Sequence, residues 1–161
     1  MPDPFRMDRS WEFPLTPGEL WEVLSRTEDY RSWWSWLRSL DTAGGLAEGG
    51  SARCEIGPPL PHVLRLTVDI VRLVPPRSIE ARVTGDLQGP AKLDIEPGEN
   101  GSRARLRWEL TMGPLVLQLA ARVARPLFQW GHDWCVDTGV AQFRRRAISR
   151  RAPGPAGGAA D

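Results

Sequence analysis

The sequence predicts an α+β domain in which a curved antiparallel sheet wraps around a long C-terminal helix, with two short helices after the first strand. Three observations carry that prediction. Five segments between residues 52 and 112 alternate apolar and polar side chains at period two, the mark of strands with one dry and one wet face. A capped helix start directly follows the first alternating segment. An apolar stripe at helical spacing then occupies the last third of the chain.

Taken in order, residues 1–8 read as a loose arm, and Trp11 and Phe13 alternate with Ser10 and Glu12 as a first strand. Thr16-Pro17-Gly18-Glu19 combines an N-cap, a proline in the first turn and an N3 glutamate, so a helix starts there with Leu20, Trp21, Val23 and Leu24 on its apolar side. A second short helical piece covers Glu28 to Trp34. Ala52, Cys54 and Ile56 then alternate with Arg53 and Glu55, and Leu64, Leu66, Val68 and Ile70 with Arg65, Thr67 and Asp69. The phase slips at Val71, which predicts a bulge before Leu73.

Ile79, Ala81 and Val83 form the next apolar row. Gly85-Asp86 and Gln88-Gly89-Pro90 both read as hairpin chemistry, with a turn expected around the latter before Ala91, Leu93 and Ile95. The clearest strand sets Ala104, Leu106, Trp108, Leu110 and Met112 against outward Arg103, Arg105, Arg107, Glu109 and Thr111. Past Gly113 the chain turns helical, and Pro126 is expected to kink or break it. Beyond Pro126 a stripe of Phe128, His132, Cys135, Val136, Gly139, Val140, Phe143 and Ala147 faces the sheet, with Asp133, Asp137, Arg144 and Arg145 opposite. The chain therefore divides into an arm at 1–8, one ligand-binding domain at 9–148, and a Pro-, Gly- and Ala-rich disordered tail at 149–161.

The charge balance, 21 basic against 20 acidic residues, gives nucleic acid no electrostatic purchase, and no nucleic-acid partner is expected. Cys54 and Cys135 stand in no metal or redox spacing. Two reduced, packed thiols are expected, with a disulfide the alternative, and no metal or other cofactor is expected. The start lacks the apolar run of a secretory signal, and the longest apolar stretch, Leu115 to Ala121, is too short to span a bilayer. A soluble, cytoplasmic protein is the expectation, with membrane contact at most transient.

The order of strand, two short helices, antiparallel strands and long final helix, together with TPGELWEVLSRTEDYRSWWSWL, VTGDLQGPAKLDI and RPLFQWGHDWCVDTG, resembles the SRPBCC superfamily. That superfamily contains the START-like proteins, the birch-pollen allergens and the polyketide cyclases, all of helix-grip fold. The resemblance covers residues 9–148. It implies a cavity between sheet and helix for lipids, sterols, polyketides or hormones, and it fixes neither ligand nor reaction.

The residues expected to line such a cavity are Trp36, Cys54, Leu66, Val68, Trp108, Phe128, His132 and Val136. Trp33, Trp34 and Trp36 either gate its mouth or fill the junction between helices and sheet. His132 is the ionisable residue of the stripe, and it is read either as a core histidine satisfied by a neighbour or as an acid/base group. Asp133, about 100° round the helix, is expected on the surface and not as its partner. The Arg144-Arg145-Arg146 run suits the helix dipole, with anion binding as the alternative. Two functions follow: a carrier or sensor of a small apolar or amphipathic molecule, and alternatively a polyketide aromatase/cyclase or dehydratase with His132 as acid/base.

Overall fold

The computed structural model describes residues 5–43, 45–57, 63–113 and 125–148. Seven strands form one antiparallel sheet: β1 (Phe5–Phe13), β2 (Leu37–Ala43), β3 (Ser51–Ile56), β4 (Leu64–Val74), β5 (Ser78–Gly85), β6 (Leu87–Gly98) and β7 (Gly101–Met112), in the order β1-β7-β6-β5-β4-β3-β2. From β1 at one edge the chain crosses to β2 at the opposite edge through α1 (Pro17–Leu24), a short 3-10 turn and α2 (Tyr30–Trp33). It then meanders back until β7 pairs with β1. The long helix α3 (Arg125–Gln142) loosens into a π-turn at Phe143–Ile148.

The expected α+β helix-grip architecture is therefore present, and the alternation sets its faces. Ala104 and Leu110 are buried on the inner side of β7, while Arg103, Arg105 and Glu109 are exposed on the outer side. A one-residue slip would have reversed every one of these. The outer face is laced by ion pairs, including a two-pronged contact from Arg105 to Asp8 at 2.7 and 2.6 Å and Arg107 to Asp94 at 2.7 Å. The exposed Arg105–Asp8 pair contributes little to stability. The capping box forms as read: Thr16 Oγ1 accepts from the Glu19 amide and Glu19 Oε1 accepts from the Thr16 amide, both at 3.2 Å. The bulge also forms, with the β4–β5 register shifting between Ile70 and Arg72 and leaving Val71 exposed.

Three local expectations are corrected. First, β1 begins at Phe5, so the expected arm does not extend over residues 5–8; Phe5 and Met7 are buried against β7, continuing the alternation of Trp11 and Phe13. Second, β2 was not foreseen. It is an edge strand paired only with β3, and LRSLDTA carries too few apolar residues to show a period. Third, Gln88-Gly89-Pro90 lie within β6; of the two expected hairpin sites, Gly85-Asp86 holds the reversal. There Asp86 knits three strands: Oδ2 accepts from the Arg65 amide at 2.8 Å, and its carbonyl accepts from the Gly113 amide at 2.7 Å. Gly89 takes φ +151°, and a Cβ there would fall 2.0 Å from the Glu109 carbonyl oxygen, so glycine is required. The expected break at Pro126 falls at the edge of the described residues, since the described part of α3 begins at Arg125. Residues 1–4, 114–124 and the expected tail lie outside the described residues.

The inner layer holds two apolar clusters. One joins β1, α1, α2 and the π-turn: Phe13, Leu20, Val23, Trp33, Ile95, Ala104, Phe143 and Ala147 are all buried there. The other lies under α3 on β3 to β7. Only Leu66, Val83 and Leu110 are buried in it, and Cys54, Ile56, Val68, Leu87, Ala91 and Trp108 are packed against them only partly buried.

Candidate functional site

The second cluster is where the sequence placed the site. Antiparallel register aligns Cys54 with Leu66, Val68 with Val83, and Ala91 with Trp108. Small residues interrupt these inner rows, since Gly85 stands beside Leu66, Gly89 beside Val83, and Ala81 beside Ala91. Side chains this short cannot reach the helix layer, so their larger neighbours keep accessible surface although they point inward.

Four of the expected lining residues, Cys54, Leu66, Val68 and Trp108, therefore meet in one cluster. His132 joins it from α3: its Nε2 accepts the Trp108 indole N–H at 2.9 Å, and its ring stacks on Phe5 at 5.5 Å between centroids. Val136, one turn further along α3, is buried. Trp36 stands apart, where the chain enters β2, with its ring edge against Gly139 of α3. The side chain of Phe128 lies outside the described residues.

An indole nitrogen can only donate, so His132 Nε2 is an acceptor and the ring proton resides on Nδ1. That nitrogen lies 3.2 Å from Asp133 Oδ1, which also accepts from Gln129 Nε2 at 3.0 Å. Asp133 was expected to be a surface neighbour and not a partner. A half-exposed aspartate one residue on still reaches the imidazole, because a short side chain can fold back along its own helix. Desolvation raises its pKa, yet the hydrogen bonds from His132 and Gln129 outweigh it and hold the carboxyl below the usual range. The result is a Trp108–His132–Asp133–Gln129 chain joining β7 to α3.

The three clustered tryptophans divide. Trp33 and Trp34 belong to the buried cluster around Phe143, and the Trp34 indole donates to the Gly139 carbonyl at 2.9 Å. Trp36 stacks on Trp34 at 5.4 Å and 20°, but its own Nε1 is buried without a partner. Between them, Ser35 is clamped by buried Gln142, whose Oε1 accepts from the Ser35 amide at 3.0 Å and whose Nε2 donates to the Ser35 hydroxyl at 2.8 Å. Sequence reading missed Gln142. A glutamine within an apolar stripe is the one signal that could have found it.

Cys54 and Cys135 are both free and half-buried, and burial pushes each thiol up to about 11. They are protonated at neutral pH and make poor nucleophiles. An open trough of about 750 Å³ is lined by Arg82, Pro90, Lys92 and Arg107 together with Met7, Ala81, Ala91 and Trp108. Of the expected lining residues only Trp108 borders it, so it is not the space between sheet and helix. No described helix is long and apolar enough to cross a membrane.

A curved antiparallel sheet gripping a long C-terminal helix defines the helix-grip class. The chain belongs to the family described as polyketide cyclase / dehydrase and lipid transport, which matches residues 4–147. Among solved structures it is similar to a conserved protein of Geobacillus kaustophilus, with TM-score 0.72, 12% identity, and 90% of this chain and 96% of that one covered. It is also similar to the di-domain ARO/CYC StfQ of the steffimycin biosynthetic pathway, with TM-score 0.70 and 11% identity, covering 94% of this chain and 53% of that one. A protein of Thermus thermophilus aligns with TM-score 0.67 and 14% identity over 92% of this chain and 99% of that one. At these identities the likeness is one of fold. No curated protein matches by sequence.

Proposed function

We propose that the chain holds a small apolar or amphipathic molecule, lipid- or polyketide-like, between α3 and the inner faces of β3 to β7, and acts as its carrier or sensor in the cytoplasm. The observation that carries this reading is the inner row of Cys54, Ile56, Val68, Ala91 and Trp108, apolar side chains that point inward yet stay only partly buried. A folded chain ordinarily fills such a layer to crystal density. Enclosing ~300 Å² of apolar ligand surface is worth ~7 kcal/mol at about 25 cal/mol per Å², before several kcal/mol of lost motion are returned. Micromolar affinity follows. Native mass spectrometry of freshly purified protein is expected to show a bound small molecule. A long-chain fatty acid is expected to raise the melting temperature in wild type but not in Val68→Trp, which fills the layer. Equal response in both, or none across a panel of fatty acids and polycyclic aromatics, overturns the reading.

The second reading is an aromatase/cyclase or dehydratase with His132 as acid/base. The family description and the His132–Asp133 hydrogen bond favour it, since a carboxylate on Nδ1 holds the tautomer in which Nε2 is the acceptor. Against it, Nε2 is occupied by the Trp108 N–H. His132→Phe separates the two. A cyclase variant keeps its ligand and loses turnover by about 100-fold or more, whereas a carrier variant changes affinity by about tenfold or less.

A further inference from the structure

Among the described residues, three buried polar side-chain atoms lack a hydrogen-bond partner: Ser102 Oγ, Arg107 Nε and Trp36 Nε1. Such groups are rare and each calls for an explanation. Ser102 is wholly enclosed, paired with Phe13 of β1 and Pro97 of β6, where no ligand has access. Arg107 lies on the outer face and keeps its Nη2 contact with Asp94. The Trp36 indole has one polar atom, and it is left with nothing.

The fold does not use that N–H for support. The Trp36 carbonyl already accepts from the Gly57 amide at 2.8 Å, which ties the residue to the end of β3. Its ring is held by stacking on Trp34 and by contact with Gly139, where an added Cβ would fall 3.2 Å from Cζ2 and 3.5 Å from Nε1. The nearby helix carbonyl, that of Gly139, is taken by Trp34 Nε1, and the intervening Ser35 is fixed by Gln142. Among the buried side-chain polar atoms of the segment, this one rigidly placed donor remains without a partner. The residue is tied through its carbonyl to the Ile56–Gly57 end of β3, and Ile56 belongs to the partly buried cluster.

We propose that Trp36 Nε1 is the polar anchor of the ligand site, donating to an oxygen acceptor on the bound molecule. This rests on the reading that the layer under α3 holds a ligand, and it narrows that ligand. A hydrocarbon does not satisfy the site, whereas an apolar or aromatic frame carrying a carbonyl, ether or hydroxyl oxygen does. A site that presents a preformed donor discriminates against an isostere lacking the acceptor, because the donor then stays buried and unpaired.

The test uses two probes of one shape, fluorenone and fluorene, which differ by a carbonyl. Wild type is expected to bind fluorenone about tenfold more tightly, and Trp36→Phe is expected to bind both equally. The ligand-free variant should melt at or above the wild-type temperature, since it loses only an unpartnered donor. The Trp36 indole proton, followed by NMR in the wild type, should move downfield with fluorenone and not with fluorene. Equal wild-type affinities, an unmoved indole proton, or a preference that survives in Trp36→Phe overturns the anchor while leaving ligand binding intact. A variant that melts several degrees lower overturns it too, because the N–H would then be serving the fold. If neither probe binds wild type, the ligand reading falls together with the anchor.

Discussion

The two ends of the inner layer are built from the same kinds of residue and are finished differently. At the β1–α1–α2 end, aromatic rings meet edge to face: Phe13 on Phe143 at 5.4 Å, and Trp33 on Phe143 at 5.4 Å. Trp33 is 3% exposed and Leu20 is 1% exposed. At the β3–β7 end, Ala81, Gly85, Gly89 and Ala91 alternate with larger residues, and most of the cluster remains partly accessible. The difference teaches where stability and function reside. Three helical pieces and the π-turn close the first end, whereas among the described residues the second is joined to α3 by the Trp108–His132 bond.

Deleting a ring at the filled end gives the largest expected effect. Phe143→Ala leaves a cavity among Phe13, Trp33 and Trp34 and should cost about 3–5 kcal/mol in chemical denaturation. Val68→Ala at the other end should cost about 1 kcal/mol or less, because its methyls are already partly accessible. Comparable losses at the two sites would break the contrast.

A middling effect is expected where α3 is fastened. His132→Phe preserves the stack on Phe5 but orphans the Trp108 N–H, at a cost of about 1–3 kcal/mol. The double variant Trp108→Phe/His132→Phe has no orphan and should recover part of that loss, giving a coupling of about 1 kcal/mol in a double-mutant cycle. Additive effects would mean that the hydrogen bond does not hold the helix.

The smallest effect concerns pH. Asp133 is held below its ordinary value of 3.8 in the folded state. Its contribution is therefore fully present above the unfolded pKa and is lost as pH falls through the lower folded one. The half-exposed carboxylate limits this to under about 1 kcal/mol. Asp133→Asn should flatten the acid limb of a melting-temperature profile below about pH 4 and leave the neutral plateau nearly unchanged. An unaltered acid limb would remove Asp133 from the fastening.

Much of this molecule was legible in its sequence, and the limits have physical causes. Period-two alternation reports burial on one face, so it revealed β3 to β7 and the bulge at Val71, and it was equally present in Phe5 and Met7. An edge strand such as β2 buries less and leaves no such trace. The glycine of Gly89 can signal a turn or a close backbone approach, and only the neighbouring Glu109 carbonyl decides between them.

The stripe on α3 marked the buried side and gave His132 and Val136, because helical spacing is a property of one element. Which nitrogen of His132 faces Trp108, that Asp133 folds back onto it, and that Trp34 takes the carbonyl beside Trp36 are relations between residues from one to 105 positions apart. Sequence alone determined most of the elements, the faces of β3 to β7 and of α3, and the family. Tertiary structure decided which polar atoms found partners, because a hydrogen bond depends on distances of a few tenths of an ångström that no local pattern encodes.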